Sequence, residues 1–212
     1  MLSKRKKLAL FFVTIILYTF SVYANVYVPG GRRNMLKKGP SWGEVVVAGD
    51  SYGKNFFNDE QKREIKFREY CNNGLTIDEN YKTLIEAFDS FSNIVLFSIS
   101  VNDQQKGTHP VIFEIKFREM LDKARETEKI VIVHTYMHYP YANFANAKLF
   151  PFSTYEYDSV VRKLANEYDN VFYIDMNDYG GVEYMTEDGI HYNKEFNDAL
   201  YDRLKVIIDN LQ

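Results

Sequence analysis

Cysteine is almost missing from this 212-residue chain, where Cys71 stands alone. One cysteine cannot close an intrachain disulfide and has no second thiolate with which to hold zinc, so stability must come from packing. Stretches of polar low complexity are missing as well. With apolar residues at 46% and aromatics at 16% there is ample surface to bury, and the chain is expected to be globular. No segment recurs at solenoid spacing. The length suits one sizeable core plus an N-terminal appendage, being short for two domains. Clustered positive charge is scarce too: 26 Lys and Arg against 29 Asp and Glu give a formal net charge of -3. That balance argues against a general nucleic-acid binder, which must neutralise phosphates with grouped basic side chains.

A full transmembrane helix needs about 20 apolar residues, and the N-terminal run from Leu8 to Tyr23 has 16, interrupted by Thr14, Thr19 and Ser21. It follows Lys4, Arg5, Lys6 and Lys7 and ends in Val22-Tyr23-Ala24, the basic, apolar and small-residue order of an export signal. Residues 1–24 are therefore expected to be a signal peptide cleaved after Ala24. The alternative is an uncleaved anchor, with membrane association through residues 8–23 and the basic flank kept inside. Either way the domain would be extracytoplasmic. Without the four basic residues the balance becomes 22 against 29, a formal charge of -7. Residues 25–43 mix Gly, Pro and basic side chains without a period and are expected to be a linker. Arg32, Arg33, Lys37 and Lys38 suit a solvated tether as well as any partner. The folded domain is expected over 44–212.

Within it, four β-branched or aromatic runs end in polar or turn residues: Glu44 to Ala48, Asn93 to Ser98, Lys129 to His134 and Asn170 to Ile174. Runs such as Val45-Val46-Val47 and Ile130-Val131-Ile132-Val133 suit strands covered on both faces, the habit of parallel sheets. A weaker fifth strand falls around Ile65 to Tyr70. Between them Asn80 to Phe91 carries Tyr81, Leu84, Ile85 and Phe88 at helical spacing, and Pro110 opens a second helix running to Thr127. Ser153 and Glu156 form a capping-box pattern ahead of Tyr157, Val160, Val161, Leu164 and Tyr168. A last helix from about Lys194 carries Phe196, Leu200, Leu204, Ile207 and Leu211. Strands alternating with helices predict an α/β fold, a parallel sheet in a three-layer α/β/α sandwich. Chemistry is then expected just beyond the carboxyl ends of the strands.

Three segments stand there. Gly49-Asp50-Ser51-Tyr52-Gly53 follows the first strand and would present a serine hydroxyl on a sharp strand-to-helix turn, as a nucleophile requires; taken alone, an ordinary turn with a capping serine is the commoner meaning of so short a motif. The same residues satisfy the GxSxG elbow of α/β-hydrolases, but that elbow follows several earlier strands and Ser51 follows the first. Asp188-Gly189-Ile190-His191 places a carboxylate and an imidazole three residues apart, so that Asp188 could hold Nδ1 while Nε2 takes a proton from serine. A DG turn with a surface histidine is the plain alternative. Ser100-Val101-Asn102-Asp103 follows the second clear strand, and its Asn102 amide could donate to an oxyanion or simply cap a turn.

Together Gly49-Asp50-Ser51, Gly74, Asn102-Asp103 and Asp188-x-x-His191 resemble, in order and approximate spacing, the four sequence blocks of the SGNH, or GDSL, hydrolase superfamily. The resemblance runs from Glu44 to the C-terminus. It implies a flavodoxin-like fold with a five-stranded parallel sheet, Ser51 as nucleophile, His191 as general base and Asp188 as its orienter. The oxyanion hole would be the backbone amides of Ser51 and Gly74 with the Asn102 side chain. Ser100 departs from the pattern, standing where the third block usually begins with glycine, and Asn72-Asn73-Gly74 also fits a tight turn.

The expected function is an exported esterase removing an acyl group, acetyl above all, from carbohydrate or another acylated small molecule, with no cofactor. The alternative is an O-acyltransferase that passes the acyl group to a cell-surface or exported polysaccharide, favoured by an uncleaved anchor. A non-catalytic domain would have no chemical need for Ser51, Asp188 and His191 together. His134 and His138 would stand roughly 13 Å apart on an extended chain, too far for one metal ion, so none is expected there. Tyr136, Tyr139, Tyr141, Phe144, Phe150 and Phe152 could stack on sugar rings or pack a loop onto the core.

Overall fold

The computed structural model describes residues 26–27, 44–135 and 152–211. The apolar runs become the centre of one sheet. Strands β1 (Val26–Tyr27), β2 (Glu44–Gly49), β3 (Lys66–Cys71), β4 (Ile94–Ser98), β5 (Ile130–His134) and β6 (Val171–Ile174) lie in the order β1-β6-β5-β4-β2-β3. The last five are all parallel, paired Val45 with Phe67 and Ile94, Ile94 with Ile130, and Val131 with Val171. In β4 and β5 every side chain is buried, which explains their unbroken apolar character. β3 forms one edge, and there Lys66 and Arg68 face solvent. The opposite edge gains a strand from the stretch read as linker: Val26 and Tyr27 pair antiparallel with Ile174 and Tyr173.

Among the described residues six helices cover the sheet: α1 (Ser51–Glu60), α2 (Tyr81–Phe88), α3 (Val101–Lys106), α4 (Pro110–Glu126), α5 (Thr154–Glu167) and α6 (Lys194–Leu211). α1 packs on α6, and α4 packs on both α2 and α5, giving the layers on either side of the sheet. Local chemistry sets their starts. Pro110 opens α4 behind His109, whose Nδ1 accepts the Val111 amide at 3.2 Å, and the Ser153–Glu156 capping box opens α5. Phe196, Leu200, Leu204, Ile207 and Leu211 of α6 are all buried. Tyr81, expected in the α2 stripe, is 43% exposed.

The strand order places the site. From β2 the chain steps outward to β3 and then returns to the other flank of β2 as β4. The reversal opens a crevice between the carboxyl ends of β2 and β4, where open α/β sheets bind ligands.

Candidate active site

Gly49 ends β2 opposite Ser98, at φ +154°, with no room for a side chain: a Cβ there would lie 1.7 Å from the Ser98 carbonyl oxygen. That close approach lets the Asp50 amide donate to the same oxygen at 3.1 Å. Asp50 caps α1 by accepting the Tyr52 amide at 3.0 Å, so Ser51 becomes the first helical residue, largely buried. The first amides of a helix have no carbonyl one turn back to donate to. Ser51 therefore brings to the crevice a hydroxyl, an uncommitted amide and the positive end of a helix.

Across the crevice, Asn102 lies in the short helix α3 and is 5% exposed. Its Nδ2 is buried with no acceptor among the described residues. An orphaned donor in that position is costly unless something arrives to accept from it. Ser100, the departure from glycine, needs no left-handed backbone: its φ of 171° is extended, its amide donates to Asp50 Oδ2 at 3.0 Å, and its hydroxyl accepts from Gln104 Nε2 at 3.3 Å. The loop bearing Gly74 is tied to the same place. Asn72 N and Asn80 Nδ2 both donate to the Gly49 carbonyl, at 3.0 and 2.8 Å. Gly74 itself adopts φ +76°, the tight-turn geometry, with open space where a Cβ would point.

His191 comes from the loop that precedes α6. A bridge pairs Met185 with Tyr192, and Thr186 N donates to the His191 carbonyl at 2.9 Å. The imidazole Nδ1 meets Asp188 Oδ2 at 2.5 Å, while Asp188 Oδ1 accepts Thr186 Oγ1, Ile190 N and His191 N at 2.7 to 2.9 Å. Partial burial alone would raise the Asp188 carboxyl, but the hydrogen bonds from Thr186, His191 and Ile190 hold it well below the usual carboxylate range. The carboxylate is thus a fixed acceptor that keeps the proton on Nδ1 and leaves Nε2 as the basic nitrogen. The His191 ring packs edge-on to Tyr52, 6.2 Å between centroids. Tyr52 stacks on Tyr192 at 4.4 Å and Tyr192 on Phe196 at 3.9 Å, so the residue after Ser51 and the residue after His191 share one aromatic column.

Several of these features have little trace in the sequence. Asp50 looks like a turn residue, yet it is fully buried and accepts the Tyr52, Ser100 and Val101 amides. Thr186 could have been noticed as a hydroxyl two residues before Asp188. His134, considered above beside His138, lies in the floor of the crevice: its ring nitrogens pair with Ser98 Oγ and the Thr135 carbonyl, each at 2.9 Å. His138 lies outside the described residues, as do Tyr136, Tyr139, Tyr141, Phe144 and Phe150. Phe152 packs against the His109 ring at 5.1 Å and on the core. Among the described residues no group of three His, Cys, Asp or Glu side chains could hold a metal ion, and no helix is long and apolar enough to cross a membrane. Residues 8–23 lie outside that set.

No family model matches the chain, and a search of curated proteins finds no match. Solved structures do match. A lipase/acylhydrolase from Enterococcus faecalis superposes with a TM-score of 0.64 at 17% identity, covering 80% of this chain and 97% of that one. A GDSL-like lipase from Bacteroides thetaiotaomicron gives 0.60 at 14% identity, with 92% and 97% covered. A variant of an acetyl-xylooligosaccharide esterase from Geobacillus gives 0.60 at 14%, with 80% and 95% covered.

Proposed function

We propose that this chain, which has the fold of the SGNH hydrolases, is an extracytoplasmic serine esterase acting on an acyl ester, acetyl foremost, with carbohydrate as the favoured alcohol. The observation that carries the reading is the His191 imidazole, bonded through Nδ1 to Asp188 at 2.5 Å and packed against Tyr52, the residue next to Ser51. In this mechanism the Ser51 hydroxyl oxygen attacks the ester carbonyl while its proton passes to His191 Nε2. The negative oxygen of the tetrahedral adduct is met by the Ser51 and Gly74 amides and by Asn102 Nδ2. The adduct collapses, the ester C–O bond breaks, and His191 returns the proton to the departing alcohol. Water then gives a proton to His191 and attacks the acyl-serine, releasing the carboxylic acid and restoring Ser51. The acetyl-xylooligosaccharide esterase among the structural neighbours supports an acetylated sugar as the first substrate to try.

The basic and apolar N-terminus favours a second reading, O-acyl transfer to a polysaccharide hydroxyl from a membrane-side donor, with the same triad. One experiment separates them. Aryl-acetate turnover is measured for the full chain and for Ser51→Ala, with and without acetylated or free oligosaccharide. The esterase reading expects turnover that Ser51→Ala abolishes and release of free acetate from the acetylated sugar. Equal rates for the two proteins overturn both readings, and acetyl transfer that depends on free oligosaccharide selects the second.

A further inference from the structure

Two buried carboxylates flank Asn102, and neither takes part in the proton transfers above. Asp50 accepts the Tyr52 amide through Oδ1 at 3.0 Å, and the Ser100 and Val101 amides through Oδ2 at 3.0 and 3.1 Å. Asp103, equally buried, accepts the Ile77 amide through Oδ2 at 2.9 Å. Its own backbone carbonyl accepts the Thr108 amide at 2.8 Å. Asp50 thus ties the turn carrying Ser51 to the start of α3, and Asp103 ties α3 to the loop that carries Gly74. The three segments come from different crossovers of the sheet, and α3, with six residues, is too short to hold its own orientation.

We propose that Asp50 and Asp103 act as a two-carboxylate clamp, positioning residues that hold the Ser51 amide, the Gly74 amide and the Asn102 side chain around a single oxyanion. The inference rests on the reading of those three groups as the oxyanion hole. Asp50 receives backbone amides on both oxygens, so an acceptor-only group fits its place and a side-chain amide there would turn N–H groups toward N–H groups; Asp103 receives the Ile77 amide and a hydrogen bond from the Thr108 side chain. Burial pushes both carboxyls up to about 7, and for Asp103 the neighbouring Asp50 and Glu79 charges add to the rise. Asp50 also faces His191, which lowers its value, and Cys71, whose thiol its charge disfavours from ionising. Two carboxyl groups buried this completely are hard to explain by stability alone, since buried ionisable groups seldom add to it. A fixed set of converging donors does explain them, because oxyanion stabilisation depends on donors already in place when the charge develops.

The test uses the full chain, with Asp50→Asn and Asp103→Asn made alone and together with Asn102→Ala. Each single variant is expected to lower kcat for an aryl acetate by roughly 10- to 100-fold with KM little changed. In the Asn102→Ala background the same changes should cost clearly less than in the wild type, because one of the three donors they aim is already gone. Undiminished losses in that background, or single variants with unchanged kcat, overturn the clamp. Should a variant fail to fold, amide proton shifts of the wild type decide: those of Tyr52, Ser100, Val101 and Ile77 are expected to move with the Asp50 and Asp103 side-chain carbonyl carbons as pH crosses 7. Amides that stay still overturn the clamp even where Ser51-dependent turnover stands. Amides that move in a chain without turnover uphold the hydrogen bonds of the two carboxylates but overturn the esterase reading, and the catalytic role of the clamp with it.

Discussion

Stability against acid offers the sharpest check on the floor of the crevice. His134 is fully buried beneath Tyr192 and Phe196, ring centroids 6.1 Å from each, with its nitrogens engaged by Ser98 Oγ and the Thr135 carbonyl. The carbonyl can only accept, so Nδ1 carries the proton and Nε2 accepts from the serine hydroxyl. Burial pushes the imidazole from 6.5 down to about 4, against smaller opposing pulls from the Thr135 carbonyl and Asp158. Between those values the unfolded chain binds a proton that the folded chain refuses. Stability from this group is therefore complete above pH 6.5 and is lost as pH falls toward 4, by about 3 kcal/mol in all at about 1.4 kcal/mol per unit. The wild type alone will hide the effect. Asp50 and Asp103, each raised from 3.8 to about 7, bind protons on folding over the same window and act in the opposite sense. With Glu60, raised from 4.5 to about 7, three such groups against one leave a stability that falls by roughly 2.7 kcal/mol per unit as pH rises. His134→Gln cancels them, because both proteins keep the same carboxylates and the packing cost of the change does not vary with pH. Urea unfolding of both chains between pH 4 and 8 should show the wild-type advantage flat above pH 7 and narrowed by about 3 kcal/mol at pH 4. A gap that stays constant, or widens on acidification, would refute the assignment of a neutral buried His134.

Three further outcomes follow from the site. Gly49→Ala forces a Cβ against the Ser98 carbonyl, so strands β2 and β4 must part; a loss of about 3 kcal/mol or more is expected, seen as a melting temperature lower by roughly 6 to 12 °C. Asn102→Ala removes one donor of the proposed oxyanion hole and should lower kcat for an aryl acetate by about 100- to 1000-fold while circular dichroism stays unchanged, whereas an unaltered kcat would exclude the residue from that role. Thr186→Val deletes the 2.7 Å bond to Asp188 Oδ1 but leaves the Ile190 and His191 amides in place. A kcat loss of up to about 10-fold at constant KM is expected, and a loss as deep as that of Asp188→Ala would contradict the view that Thr186 only steadies the carboxylate.

How much of this was legible in the sequence depended on whether a contact is local. Val45 to Val47 and Ile130 to Val133 could only be strands buried on both faces, and their neighbours Asn93, Lys129 and Asn170, which stood at the ends of the expected strands, fall just outside them. β3 was faint because it is an edge strand with Lys66 and Arg68 in water, so that period and apolar content both weaken. α1 was hidden for a different reason. Its buried face is Ser51, Tyr52, Gly53, Phe56 and Glu60, which has no apolar stripe because the first turn is given over to the crevice. α3 likewise buries Asn102, Asp103 and Gln104, and no hydropathy pattern finds a helix whose covered side is polar. Asp188 and His191, three residues apart, share a turn and a hydrogen bond that spacing can express. Asp50 and the Ser100 amide are 50 residues apart, and a side chain accepting from a distant backbone leaves no mark on either residue.

The crevice is consequently held by two kinds of structure. Gly49, Asp50, Ser51 and Asn102 stand on strand ends whose register is fixed by β2–β4 pairing, so anything that disturbs the Gly49–Ser98 approach disturbs fold and chemistry together. His191 is different, arriving on a loop whose Asp188 side chain is 46% exposed. What registers it against the serine is side-chain stacking: Tyr192 and Phe196 carry the loop onto α6, and Tyr52 carries α1 onto both. Aromatic stacking of this kind is worth only about 1 kcal/mol per pair beyond burial. His191, the proposed base, is therefore the softer half of the site. Changes in the Tyr52, Tyr192 and Phe196 column should separate turnover from stability in a way that changes at Gly49 cannot.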